Sequence, residues 1–123
     1  FVVIELIGEW NDAINNDIMF LKRDVADVFM SNGITKFILI GENVLNFHVS
    51  DDCYYEEWFE DVQDQGGWVA MINFRDHIID EMRKARLSNY LLMGERLNDL
   101  NWRAVKPFHM HHLVEGRLMQ ALG

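Results

Sequence analysis

Residues 34–53 read ITKFILIGENVLNFHVSDDC, and this stretch decides the predicted fold. Four consecutive apolar residues, Phe37 to Ile40, are typical of a strand covered on both faces, as in a parallel sheet under helices. We expect a polar turn after that strand. Ser50, Asp51 and Asp52 then stand directly before an amphipathic run, where a helix N-cap and an acidic first turn belong. The stretch therefore predicts a central strand, a loop and a helix start.

Strands and helices alternate on both sides of this stretch. The first strand is predicted at 1–7, with neighbouring strands on both sides, and a helix follows from Asn15 or Asn16 to Asn32-Gly33. Later elements are a helix over 51–65, a strand over 68–74, a helix over 76–87 and a short strand over 90–93. This order predicts an α/β domain over residues 1–96, with about four to five mostly parallel strands. Residues 97–123 are predicted to form a helical extension that packs on the domain or on a dimer partner.

The first predicted helix has an apolar face and a charged face. The apolar residues at helical spacing are Ile18, Leu21, Val25, Val28 and Phe29. The residues expected to point away are Lys22, Arg23, Asp24 and Asp27.

Composition excludes several classes of function. The 123 residues are 50% hydrophobic, enough for one core, and carry a net charge of −9. Residues 1–66 hold three Lys and Arg against fourteen Asp and Glu, or −11, which opposes binding to nucleic acid or to anionic membranes. With a single cysteine and no apolar stretch long enough to span a bilayer, we expect a cytoplasmic protein without a disulfide. The glycines form neither a G-x-G-x-x-G nor a Walker pattern, and we expect no cofactor.

The predicted second helix has an acidic outer face. Its candidate partner-binding residues are Glu56, Glu57, Glu60 and Asp61, together with Ser50, Asp51 and Asp52 before it. Like charges at i, i+4 destabilise an isolated helix by roughly 0.2–0.5 kcal/mol per pair, and this cost favours a basic protein partner. A solvated charged face is the alternative, and acid–base catalysis by these residues is a less favoured one.

Histidines offer two further candidates. His109 and His112 share a helix face and are weak metal candidates, since a structural zinc site needs four ligands and a catalytic one normally three. His48 stands near Cys53 at a helix start, a pairing that nucleophilic catalysis uses, but no third orienting residue accompanies it.

Residues 1 to about 95 resemble the STAS domain, the family of bacterial anti-sigma factor antagonists that is also found as the cytoplasmic tail of sulfate transporters. Residues 4–11 (IELIGEWN) stand where that family has an apolar strand ending in Gly-Glu-Leu-Asp. Residues 37–47 have the length of its central strand and turn, and residues 47–52 (FHVSDD) lie where it reads Phe-Ile-Asp-Ser-Ser-Gly. Residues 66–73 (GGWVAMIN) and 75–87 match its next strand and helix.

The resemblance implies a non-enzymatic interaction module. In the family, an unphosphorylated antagonist binds an anti-sigma factor kinase, and phosphorylation of a serine at the start of the second helix disrupts that contact. Ser50 takes the position of the first family serine and is the candidate phosphosite, whereas Asp51 replaces the serine that is usually phosphorylated. Asn11 and Gly41 also replace family aspartates, which argues against a phosphate switch.

Two other hypotheses remain open. A small α/β enzyme or ligand-binding protein would use His48, Ser50, Asp51 and Asp52 around a pocket, so a deep pocket beside them would favour it. A homodimer built through residues 102–122 is the third.

Overall fold

The computed structural model describes residues 1–12, 16–49, 52–93, 97–98, 100 and 112–117, and it confirms an α/β fold. Its sheet has three parallel strands in the order β1 (Val2–Asn11), β2 (Lys36–His48) and β3 (Trp68–Ile72). Helices α1 (Asp17–Phe20) and α2 (Asp27–Ser31) are joined by a π-helical turn over Leu21–Ala26. Helix α3 (Cys53–Gln63) connects β2 to β3, and α4 (Asp76–Lys84) precedes a 3₁₀ turn at Leu87–Asn89.

Strand β2 is much longer than the apolar run that predicts it, and the expected polar turn after Ile40 is wrong. The strand continues to His48 because β1 continues beside it to Asn11. Glu5 pairs with Ile40 but Ile7 pairs with Asn43, and a second register shift follows Gly8, so β2 carries two additional residues. These bulges break the regular alternation of apolar and polar residues by which a strand is recognised.

The fourth predicted strand, over 90–93, is reduced to a single parallel bridge between Leu92 and Ala70 of β3. Two backbone hydrogen bonds make this bridge, from Leu92 N to Val69 O and from Met71 N to Leu92 O, each 2.8 Å long. The expectation that strands flank β1 on both sides is also not met, since β1 lies at one end of the sheet that the described residues form.

The π-helical turn changes which side of the first helix is buried. A π turn holds more residues than an α turn and therefore rotates all later side chains about the helix axis. Val28, which follows the turn and was predicted to be buried, is 54% exposed. Lys22, predicted to point away, is only 1% exposed, but it lies at the start of the turn and four positions after the buried Ile18, on the same helix face. Ala26 is buried in place of Val28.

Alternate residues of the central strands enter two separate cores. Phe37 and Leu39 of β2 face the side on which residues of all four helices pack. Ile38 and Ile40 face the opposite side, where the described parts of the predicted C-terminal extension cover them. The covering residues are Leu97, Leu100, Leu113 and Val114.

Asn73 holds part of this cover in place. Its side-chain amide donates to Leu100 O at 2.7 Å, and its Oδ1 accepts from Leu100 N at 3.0 Å. The Asn73 backbone is left-handed, with φ 56°, a conformation that asparagine tolerates better than most residues. A second polar contact holds the same cover, because Glu115 pairs with Lys36 of β2 at 2.6 Å.

The two bonds to Leu100 predict the effect of replacing Asn73. We expect Asn73→Gly, which keeps the left-handed backbone but removes both bonds, to lower the free energy of unfolding by about 1–2 kcal/mol. Asn73→Ala should cost about 1 kcal/mol more because alanine is strained at positive φ. Urea unfolding of both variants checks this prediction. An unchanged midpoint for Asn73→Gly would show that the two hydrogen bonds to Leu100 do not contribute to stability.

Candidate functional site

The carboxyl ends of β1 and β2 lie together, at the edge where open parallel sheets commonly bind ligands. Asp12, directly after β1, donates its backbone N–H to His48 O at 2.8 Å. The side chain of Asp12 is turned inward, and the residue is only 4% exposed. Asp12 is therefore a buried carboxylate at an edge where ligands commonly bind.

Three side chains from distant parts of the sequence surround that carboxylate. Tyr55 of α3 donates its hydroxyl to Asp12 Oδ2 at 2.6 Å, and it accepts from Trp10 Nε1 at 3.0 Å. Asp12 Oδ1 accepts from the backbone N–H of Ile18, in the first turn of α1, at 2.9 Å. Because both carboxylate oxygens and the phenol are satisfied within the protein, this network joins β1, α1 and α3 and presents no reactive group to solvent.

Burial controls the ionisation of the network. Loss of solvent raises the pKa of Asp12 above its ordinary value, and the hydrogen bonds from Tyr55 and Ile18 offset only part of that effect. Burial, together with the negative charge of Asp12, raises the pKa of Tyr55 well above the ordinary phenol range. Tyr55 therefore remains protonated and stays a hydrogen-bond donor.

The raised pKa of Asp12 predicts a pH dependence of stability. Between the unfolded value of 3.8 and the higher folded pKa, the folded state binds more protons than the unfolded state. The contribution of Asp12 to the free energy of unfolding is therefore largest below the unfolded pKa and falls as the pH rises through the folded pKa. We expect the stability of the wild-type protein relative to Asp12→Asn to decrease over this window. Urea unfolding of both proteins from pH 3.5 upward measures the difference, and an increase with pH would contradict the assignment.

The residues predicted before α3 take different positions. Ser50 and Asp51 lie outside the described residues. Asp52 is the N-cap of α3 but makes no side-chain capping bond; its Oδ2 instead accepts from the hydroxyl of Tyr90 at 3.0 Å. His48 and Cys53 are both exposed.

The four acids predicted on α3 divide into two groups. Asp61 pairs with Lys22 at 3.0 Å, and Glu57 lies in the electrostatic field of Arg23, whose guanidinium stands 5.3 Å from the centre of the Tyr54 ring. The remaining two are exposed, one helical turn apart, and have no Lys or Arg within ion-pair distance among the described residues. They are Glu56 and Glu60.

Lys22 explains why one acid of α3 is not available as a free charge. It is buried between Asp27 and Asp61, and both carboxylates bond its ammonium group. Burial lowers the pKa of Lys22, but the hydrogen bonds and charges of the two aspartates outweigh it and leave the pKa raised. Lys22 thus fastens the π-helical turn to α3 as a permanent cation.

An aromatic pair lies beside the two unpaired acids. The rings of Phe59 and Tyr90 are 5.8 Å apart, and both residues are half-buried. The hydrogen bond to Asp52, with the nearby charges of Glu56 and Glu60, raises the pKa of Tyr90. We call the surface formed by Asp52, Glu56, Phe59, Glu60 and Tyr90 the α3 ridge. It combines aromatic rings with carboxylates on one exposed surface.

Metal and pocket candidates receive no support from the described residues. No group of three or more His, Cys, Asp or Glu within them is placed to hold a metal ion. His112 is exposed, and His109 lies outside the described residues. Three depressions are lined entirely by described residues, and neither His48 nor Asp52 is among the lining residues. No helix in the described ranges has the length and apolar character that crossing a membrane requires.

Sequence reasoning missed Tyr90, Lys22 and the Asp12–Tyr55 network. The signal for Asp12 was its position, an acid directly after a strand and shortly before a helix start. Tyr90 gives no local signal, because its partner Asp52 lies 38 positions earlier in the chain.

Comparison with protein-family models, with curated proteins and with solved structures finds no match.

Proposed function

We propose that this chain is a non-enzymatic protein-interaction module that binds a basic or kinase-like surface through the α3 ridge. The observation that carries the proposal is that, within the described part of the chain, no Lys or Arg pairs with Glu56 or Glu60, which lie beside the Phe59–Tyr90 pair. Asp61, by contrast, is paired with the buried Lys22. Glu56 and Glu60 are the carboxylates of α3 on which a partner's Arg or Lys would act most strongly.

Aromatic residues give such a surface binding energy as well as charge. Tyrosine and arginine dominate protein–protein hot spots because they combine apolar area with a polar group. The bond from Tyr90 to Asp52 holds the phenol over α3, so little side-chain entropy is lost on binding. A partner arginine can then stack on an aromatic ring and pair with a neighbouring carboxylate.

The resemblance to STAS domains supports the same class of function and makes the proposal more specific. We take the chain to be STAS-like, with the Leu92 bridge marking the position of a further strand beside β3. Anti-sigma factor antagonists of that family use the start of the equivalent helix as their contact, and that start borders the α3 ridge. With Asp51 at the usual phosphoserine position, a permanent charge replaces a switched one, and Ser50 is the remaining candidate for phosphorylation.

Charge reversal tests the proposal. We expect Glu56→Lys combined with Glu60→Lys to abolish capture of the specific partner from extracts of the source cells, because each change replaces an attraction by a repulsion. The matched control is Asp80→Lys with Glu81→Lys, which alters net charge equally on the exposed face of α4.

Quantitative mass spectrometry of the captured proteins gives the answer. Loss of a partner from the α3 double variant alone supports the proposal. An unchanged set of captured proteins, or equal loss from both double variants, would show that the α3 ridge is not the contact.

A further inference from the structure

Strand β1 forms one edge of the sheet that the described residues build. In a parallel pair, every second residue of a strand directs its backbone N–H and C=O away from its neighbour. Both register shifts between β1 and β2 place the additional residue in β2. β1 therefore carries no additional residue over its ten positions and forms the outer edge, with Gly8, at φ 101°, as its one left-handed position.

One face of β1 carries an unusual pattern. Glu5, Ile7 and Glu9 are all exposed on the face opposite the helices, and Ile7 is 76% exposed, the most exposed large apolar residue described. Asn43 donates to Glu5 at 3.4 Å and Asn46 donates to Glu9 at 3.3 Å, so each carboxylate accepts a hydrogen bond from the neighbouring strand β2. An exposed aliphatic residue therefore lies between two exposed carboxylates.

A groove runs along the same stretch. Its lining consists of the five consecutive residues 6–10, which point to both faces of the strand, together with Asp17 and Val44. Gly8 borders open space, since a Cβ at this position would meet no atom within 4 Å, and its φ of 101° is a conformation that other residues rarely adopt. Asp17 adds a third carboxylate, although one of its oxygens already accepts from Asn11 N at 2.7 Å.

We propose that the edge of β1 binds an extended basic peptide of a partner protein as an added strand. The backbone of the peptide bonds the edge, and its side chains meet those of β1 on the outer face. A peptide with the pattern basic, any, aliphatic, any, basic places its aliphatic residue across from Ile7 and its two cations across from Glu5 and Glu9. Opposite-charge and apolar cross-strand pairs are each worth roughly 0.2–1 kcal/mol.

Charge decides between this occupant and a second copy of the chain. An antiparallel pair of β1 strands centred on Ile7 would place Glu5 across from Glu9 of the other copy, twice. A parallel pair in register would place each glutamate across from itself. Both arrangements set like charges directly opposite each other, in a chain whose net charge is already −9. A basic peptide reverses the sign of every one of these contacts.

The test uses the full chain and a synthetic probe, the acetylated and amidated peptide Thr-Lys-Thr-Ile-Thr-Lys-Thr with a fluorescent label. Fluorescence anisotropy measures its affinity, and amide chemical shifts locate it. We expect shifts along β1, and an affinity that falls by about tenfold or more when glutamate replaces both lysines of the peptide. N-methylation of alternate peptide amides should also weaken binding by about tenfold, because it removes the strand hydrogen bonds and keeps the charges.

Protein variants give the matching control. Glu5→Lys combined with Glu9→Lys should weaken binding of the lysine peptide by about tenfold or more and favour the glutamate peptide, because both contacts then change sign. Asp80→Lys combined with Glu81→Lys, with the same change of net charge on α4, should leave the preference for the lysine peptide in place. Circular dichroism establishes that both double variants are folded, and the reversed preference of the β1 double variant is a gain that misfolding cannot produce.

Three results would overturn the proposal. The first is no binding of the lysine peptide, and the second is equal binding of the N-methylated peptide, which would indicate attraction by charge alone. The third is a concentration-dependent dimer that protects the β1 amides and excludes the peptide, which would assign the edge to a second copy. If the α3 ridge proves not to be a contact surface, the expected peptide binding is unchanged, because the peptide contacts only β1.

Discussion

Replacing Gly67 by alanine is expected to destabilise the protein by about 3 kcal/mol or more, at the upper end of what overpacking costs. A Cβ at Gly67 would stand 1.9 Å from Thr35 O and 2.6 Å from Thr35 C, both backbone atoms. Backbone hydrogen bonds hold both segments, at Gly67 and at Thr35, in place. Gly67 N donates to Val62 O at 2.8 Å, and the next residue, Trp68, donates to the same Thr35 O at 3.1 Å. The added methyl group therefore separates the first residues of β2 and β3.

Gly66→Ala is the matched control for Gly67→Ala. Gly66 has a positive φ of 74°, but a Cβ there would meet nothing within 4 Å. We expect a cost of only about 1–2 kcal/mol, from backbone strain. Urea unfolding followed by tryptophan fluorescence measures both variants. If Gly67→Ala costs no more than Gly66→Ala, the close approach of Gly67 to Thr35 is not a constraint on the fold.

Removing the hydroxyl of Tyr55 is the second large effect. Tyr55→Phe leaves two buried groups without a partner, the indole N–H of Trp10 and one oxygen of the Asp12 carboxylate. Each unsatisfied group costs about 1–3 kcal/mol, so we expect a loss of about 3 kcal/mol and a fall in Tm of roughly 10 °C. Differential scanning calorimetry measures the change.

Tyr54→Phe makes the same chemical deletion one position earlier and serves as the control. Tyr54 is only half-buried, and its ring contacts the exposed Arg23. We expect a loss below about 1 kcal/mol. Equal losses from the two variants would mean that the buried network is no more important than a surface tyrosine.

The sequence pattern was sufficient to predict features that depend on the residues of one helix alone. The helical spacing of Tyr54, Tyr55, Trp58, Phe59 and Val62 predicts the inner side of α3. Tyr55, Trp58 and Val62 are at most 3% exposed, whereas Tyr54 and Phe59 are half-buried. In α4, Asp76 in the first turn and Arg83 and Lys84 in the last follow the order that the helix dipole favours. Both patterns lie within a single helix, so they can be read without knowing which distant residues the helix contacts.

Features that depend on distant pairing were not predictable in the same way. The second half of β2 reads as a turn because Asn43 and Asn46 interrupt it, and only pairing with β1 makes it a strand. Lys22 reads as a surface residue because it is charged, although it lies four positions after Ile18 on the face that an α-helix would bury, and its burial depends on the distant Asp61. The α3 ridge was recognised in part, through its acids, while Tyr90 comes from a segment that the sequence assigns to a strand.

The most direct test of binding through the α3 ridge is hydroxyl-radical footprinting of the protein with and without its captured partner. Phe59 and Tyr90 report the ridge, and Phe20, which is 53% exposed on α1, is the internal reference. We predict that the partner lowers oxidation of Phe59 and Tyr90 by about threefold or more, as burial in an interface core requires, and leaves Phe20 unchanged. Unchanged oxidation of Phe59 and Tyr90 in the saturated complex would contradict the assignment of α3 as the contact surface.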